Sequence, residues 1–244
     1  MGARMSIAGV MRVRRHQATR LEGFVDASFA FAVTLVVISI GRVPDSVPDM
    51  LQALRGAPTF AICFALIART WKSHRDWSRY YDLEDDFTIV MSLLLVFLVL
   101  VYVYPLRLLF TLMVAALSGG SLMEHEVDLR SVFELRAAHV VFGVGYAAIW
   151  LVLSALNRHA YALRDAIGLD LAEQAVTRLR LRLTLAFCAI ALLSAALAAT
   201  LPFDESPGLA SVPGTTYLLM LPAAAVLRHL CRRELAAARA GRAP

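Results

Sequence analysis

Six stretches of roughly 20 apolar residues recur along this chain, and a run of that length has one ordinary fate, an α-helix crossing a bilayer. They lie at about Gly23 to Gly41, Leu51 to Trp71, Phe87 to Leu117, Leu135 to Leu156, Leu183 to Leu201 and Leu209 to Leu227. Hydrocarbon offers backbone amides no water to bond, so a span must satisfy its own hydrogen bonds, and a helix does so. With 59% hydrophobic residues and a mean hydropathy of +0.65, the chain is too apolar for one soluble core. The expected fold is an all-α integral membrane protein of six transmembrane helices, with a tail over residues 1–19, a membrane domain over 20–230 and a second tail over 231–244. The second span is interrupted by Arg55 and Pro58. The third is long, and Pro105 with Arg107 is expected to mark a bend or the interface.

Orientation follows from Lys and Arg, because acidic residues contribute little to topology. Nineteen of the 24 basic residues precede the first span, lie at the end of the second or between it and the third, lie between the fourth and fifth, or follow the sixth. Arg42, Arg55, Arg107, Arg130 and Arg136 are the remainder. Both termini are therefore expected in the cytoplasm. A pI near 9.4 then reflects loops facing anionic headgroups, and no basic patch interleaved with aromatics points to nucleic acid. There is no GxSxG, HExxH, Walker A or GxGxxG motif, so no enzyme and no cofactor are expected. Cys63, Cys188 and Cys231 form no disulfide framework, and Glu124, His125, Glu126 and Asp128 match no metal-ligand spacing. Gly143 to Tyr146 spell GVGY, part of the TVGYG potassium filter, but they fall within an uninterrupted span. Gly143 and Ala147 read better as a small-xxx-small packing seam.

The first span carries the most chemistry. Asp26 stands about one turn inside it, and hydrocarbon penalises an unpaired charge by at least ~2.5 kcal/mol at a helix centre. It needs a partner, the nearest in sequence being Arg20. Trp71 and His74 put an indole donor and an imidazole on nearly one helix face, suited to hold a carboxylate. Beyond Asp26, Ala27, Phe31, Thr34 and Ile38 form one stripe, and Ala30, Val33 and Val37 an adjacent one. A large apolar side chain followed one turn later by a hydroxyl suits a narrow apolar ring and a polar ring around an axis. Thr34 bonded to the carbonyl of Ala30 explains the hydroxyl equally well.

Arg20, Phe24 and Asp26 stand in the pattern R-x-x-x-F-x-D, followed by Ala30 and Thr34-Leu35. This resembles the R-x-x-x-F-S-D motif that opens the prokaryotic branch of the transmembrane protein 175 family of potassium channels. Trp71 and His74 are similar to that family's W-x-x-H, and Pro105 falls late in the third span, so the resemblance covers Arg20 to Phe110. It implies a homotetramer whose first helices line a central pore for potassium ions, without a TVGYG filter. By position, Phe31 is the implied constriction and Thr34 the polar ring, with Ala27 and Ile38 lining the pore. Arg20, Phe24, Asp26, Trp71 and His74 are the implied supporting network. Val25 replaces the motif Ser, and Phe31 replaces the usual Ile or Leu. The expectation is a passive potassium channel of a bacterial plasma membrane, the alternative a non-conducting scaffold of the same fold plugged by Phe31. The ratio of twenty-three Arg to one Lys, with abundant Ala, suits a GC-rich genome.

Overall fold

The computed structural model describes residues 9–39, 45–122, 132–203 and 205–240. The Glu124 to Asp128 cluster, Arg42, Pro44 and residues 241–244 lie outside them. Among the described residues the chain is helical with no strand: α1 (Arg20–Ile38), α2 (Val47–Leu54), α3 (Ala57–Tyr81), α4 (Asp86–Ser118), α5 (Val132–Ala162), α6 (Leu171–Thr200), the short α7 (Val212–Thr215) and α8 (Met220–Ala240). Helices α1, α4, α5 and α6 are each long and apolar enough to span a membrane, as is the run Gly208–Ala236. The remaining span, second along the chain, is the pair α2 and α3, bent by 47°. The break falls at Arg55 and Gly56, just before Pro58, whose ring leaves no N–H for the helix and is tolerated only in a first turn.

Capping explains the helix starts. Thr19 accepts a bond from the Glu22 amide while the Glu22 carboxylate accepts one from the Thr19 amide, closing a capping box on α1. Asp170 and Glu173 repeat the device on α6, and Asp85 caps α4 through the Thr88 amide. Helix α6 thus begins twelve residues before its expected span, carrying Arg178, Arg180 and Arg182 on the same helix. Helix α4 runs through Pro105 without ending there and stops at Gly119, whose φ of 59° suits a residue with no Cβ.

The GVGY residues serve packing, as expected. A Cβ on Gly143 would meet the Ala195 Cβ at 2.8 Å and the Ala191 carbonyl at 2.9 Å, so its absence lets α5 and α6 approach closely. Gly145 lies under the Tyr102 ring of α4, where a Cβ would come within 2.6 Å.

Among the described residues, both tail segments contact the helical bundle. Before α1, the Arg14 and Arg15 amides both donate to the Arg79 carbonyl at the end of α3. The Arg14 guanidinium bonds both carboxylate oxygens of Glu173, at 3.0 and 2.8 Å, as well as the carbonyls of Tyr80 and Gly168. This contact with Glu173 raises the Arg14 pKa above its ordinary value. Glu173 is fully buried, and the strap ties the start of α6 to the end of α3. Arg15 pairs with Asp82 and Glu84 in the α3–α4 turn. At the other terminus α8 continues past residue 230, where Cys231 and Leu235 are buried at a four-residue step beyond the half-buried Ala224 and Leu227.

Two stability measurements test this packing. Gly143→Val should overpack the α5–α6 seam and cost about 1–3 kcal/mol, read as a lower thermal midpoint in detergent. Arg14→Ala leaves Glu173 buried without its cation and should cost about 3 kcal/mol, whereas Arg12→Ala, at an exposed ion pair, should cost under about 1 kcal/mol.

Candidate pore face and its supporting network

Helix α1 divides cleanly into two faces. Val25, Phe29, Ala32 and Val36, spaced by four, three and four residues, are buried against α3 and α4. The opposite face carries Phe24, Ala27, Ala30, Phe31, Thr34, Val37 and Ile38, all exposed in the single subunit. Only 22% of the apolar stretch of α1 is buried, against 61% for α5 and 17% for the run Gly208–Ala236, so α1 and the last span are both left with a broad uncovered face. Phe31 is 55% exposed and Ile38 62%. The expected stripe of Ala27, Phe31, Thr34 and Ile38 therefore points away from the subunit core.

Thr34 resolves an open point of the sequence. Its Oγ1 donates to the Ala30 carbonyl at 3.1 Å, the back-bond that a mid-helix threonine adopts, and the residue is still exposed. The two readings are compatible, because the hydroxyl hydrogen is used within the helix while the oxygen lone pairs stay available to a cation.

The network is divided rather than continuous. Trp71 Nε1 donates to Asp26 Oδ1 at 2.7 Å, joining α3 to α1, and Arg75 lies over the Trp71 ring at 5.2 Å. Asp26 is thus partnered by Trp71 and not by Arg20. Six residues on a helix turn through about 600°, which sets Arg20 roughly 120° away from Asp26. Arg20 is exposed and makes no ion pair among the described residues. His74 does not join Trp71 in holding a carboxylate: it is buried, and its Nε2 hydrogen-bonds Ser92 Oγ at 2.9 Å on α4. Asp26 is itself exposed in the single subunit. Phe24 is exposed and contributes its carbonyl to Ser28 Oγ. Val25, at the motif Ser position, is completely buried, so a methyl-bearing side chain fills space where the family motif places a hydroxyl.

Sequence reasoning missed Ser92, whose signal was a hydroxyl one turn after Thr88 at the head of an apolar run. It also missed Glu22, buried beside the network with Oε1 lacking a hydrogen-bond partner. Among the described residues no group of three potential metal ligands occurs.

Residues 20–105, the stretch that carries this face and network, match the family described as "Endosomal/lysosomal potassium channel TMEM175". A protein of Marivirga tractuosa named "Potassium channel" is 36% identical over 186 residues, 74% of each chain. This chain belongs to the TMEM175 family. A crystal structure of a variant of the TMEM175 potassium channel MtTMEM175, in complex with a nanobody–MBP fusion, superposes with a TM-score of 0.77 at 32% identity. The match covers 91% of this chain and 97% of that one, so the shared TMEM175 fold extends through α5, α6 and α8, well beyond the motifs. The chain is a multi-pass membrane protein of an ion-channel family.

The Asp26–Trp71 bond makes a direct prediction. Trp71→Phe keeps the ring and removes the donor, and should lower the thermal midpoint by the equivalent of about 1–2 kcal/mol. Asp26→Asn retains an acceptor and should cost less. A double-mutant cycle that gives no coupling between the two positions would show that the bond contributes nothing.

Proposed function

We propose that four copies of this chain assemble around a central axis, that the α1 helices line the pore, and that potassium ions pass down their gradient through it. Phe31 forms the constriction, Thr34 a polar ring one turn further along, and Ala27 and Ile38 the flanking wall. The protein sits in a bacterial plasma membrane with both termini in the cytoplasm, as the Arg asymmetry supports. The observation that carries this reading is the uncovered α1 face. It is apolar enough to be withdrawn from water, and its exposed threonine oxygen one turn beyond a bulky ring suits a polar ring next to an apolar constriction around an axis. The names of the relatives support potassium as the permeant ion.

An aromatic ring at the constriction favours a second reading alongside the first. Four Phe31 rings at one level dewet an axis more completely than four aliphatic side chains and give a channel that is shut at rest. Reconstitution into liposomes separates these readings. Phe31→Ala should raise potassium flux by about tenfold or more, by widening and wetting the ring. A conducting wild type supports the open channel, and a silent wild type with a conducting variant supports the plugged one. If neither passes ions, Phe31 does not control a pore and the proposal fails.

A further inference from the structure

On the side of α3 away from α1, Arg69 occupies a corner built by two other helices. Its guanidinium carbon lies 5.4 Å from the Trp150 ring of α5 and 4.8 Å from the Phe187 ring of α6. Those rings meet nearly edge to face, with centroids 4.9 Å apart at 73°, and both are buried while Arg69 itself is exposed. No carboxylate among the described residues pairs with Arg69. A guanidinium laid on aromatic faces keeps its planar fork of N–H donors free at the edge, where it matches a phosphate with two parallel bonds.

The level of this corner matters as much as its chemistry. Arg69 is two residues from Trp71, where the second apolar run ends, and Phe187 is four residues inside the start of the fifth at Leu183. Both spans therefore put the guanidinium where acyl chains give way to headgroups. Seven residues earlier on α6, at nearly the same angular position and about 10 Å nearer the Arg-rich end, Arg180 lies over the Tyr80 ring at 4.7 Å. It too has no carboxylate partner among the described residues. Each of these guanidiniums is seated on an aromatic along one α3–α6 seam, the exposed Arg69 at the depth of a lipid phosphate and the half-buried Arg180 further toward the Arg-rich end.

We infer that this seam is a binding site for an anionic phospholipid, its phosphate held by the Arg69 fork and its remaining headgroup charge drawn toward Arg180. Such basic sites between spanning helices are the sequence-readable form of lipid recognition. The site is separate from the α1 face, because Arg69 and Trp71 point about 160° apart on α3.

The test uses the full-length protein, delipidated in mild detergent and mixed with equal amounts of phosphatidylglycerol and phosphatidylcholine of the same chain length. Native mass spectrometry then reads the ratio bound. Wild type should retain phosphatidylglycerol preferentially, and Arg69→Gln should lower that preference about fivefold. Arg69→Lys, which keeps the charge but not the fork, should fall between them, and Arg180→Gln should show a smaller loss. The lysine variant carries the test if the glutamine variant does not fold. Equal retention of the two lipids by wild type overturns the site, as does an unchanged preference in both Arg69 variants. Displacement of the lipid by millimolar inorganic phosphate alone would assign the fork to a free anion and overturn the lipid.

Discussion

The stripe of Val25, Phe29, Ala32 and Val36 sets everything else about α1. By packing against α3 and α4 it fixes the rotation of the helix, and at 100° per residue no other face can then be presented outward than the one bearing Ala27, Phe31, Thr34 and Ile38. The Asp26–Trp71 hydrogen bond sits at the edge of that stripe and holds the same rotation from one end. A 2.7 Å bond between side chains on two helices does not survive a rotation of one residue position, so a polar contact and an apolar stripe enforce one geometry. His74 and Ser92 do the same for α3 and α4, and the three helices are thereby registered by contacts within one chain.

The helices themselves were legible in the sequence, because in hydrocarbon the length of an apolar run nearly suffices to define a span. The one blurred span, α2 with α3, was blurred for a reason already visible, since Arg55, Gly56 and Pro58 break the helix there. The exposed stripe on α1 was legible through helical spacing. The partners of polar residues were harder, because they depend on the rotation and register of two helices at once. That Asp26 needed a partner followed from its surroundings, yet sequence proximity pointed to Arg20, which lies on another side of the same helix. The Arg14–Glu173 pair joins residues 159 positions apart, and nothing local to either announces the other. The C-terminal tail was drawn from Cys231 because the stretch after it is rich in Arg and Ala and holds no apolar run, yet α8 continues to Ala240. Among the described side chains of that stretch, Cys231 and Leu235 are buried, while Glu234 between them turns toward Arg178 and Arg182.

The preference for Arg over Lys gains a structural meaning from the places where these side chains rest. A positive bias at one end of the bundle needs only charge, and lysine would supply it as well. The guanidiniums do more than this. Those of Arg69, Arg75, Arg164, Arg178 and Arg180 lie over aromatic rings, at distances from 4.7 to 5.9 Å. That of Arg14 bridges both oxygens of Glu173 while reaching two carbonyls. Arg136 bonds the carbonyls of Ala198, Ala199 and Leu201, where the last turn of α6 leaves acceptors without helical partners and the helix dipole favours a cation. An ammonium offers neither a flat face to stack nor a fork of donors in fixed directions, so replacing these arginines by lysine would preserve the charge asymmetry and lose the contacts. A GC-rich genome would by itself account for an abundance of arginine codons. It does not explain why so many of the resulting side chains are seated on aromatic faces and helix ends, and that placement is where the side chain's geometry, rather than its charge, is used.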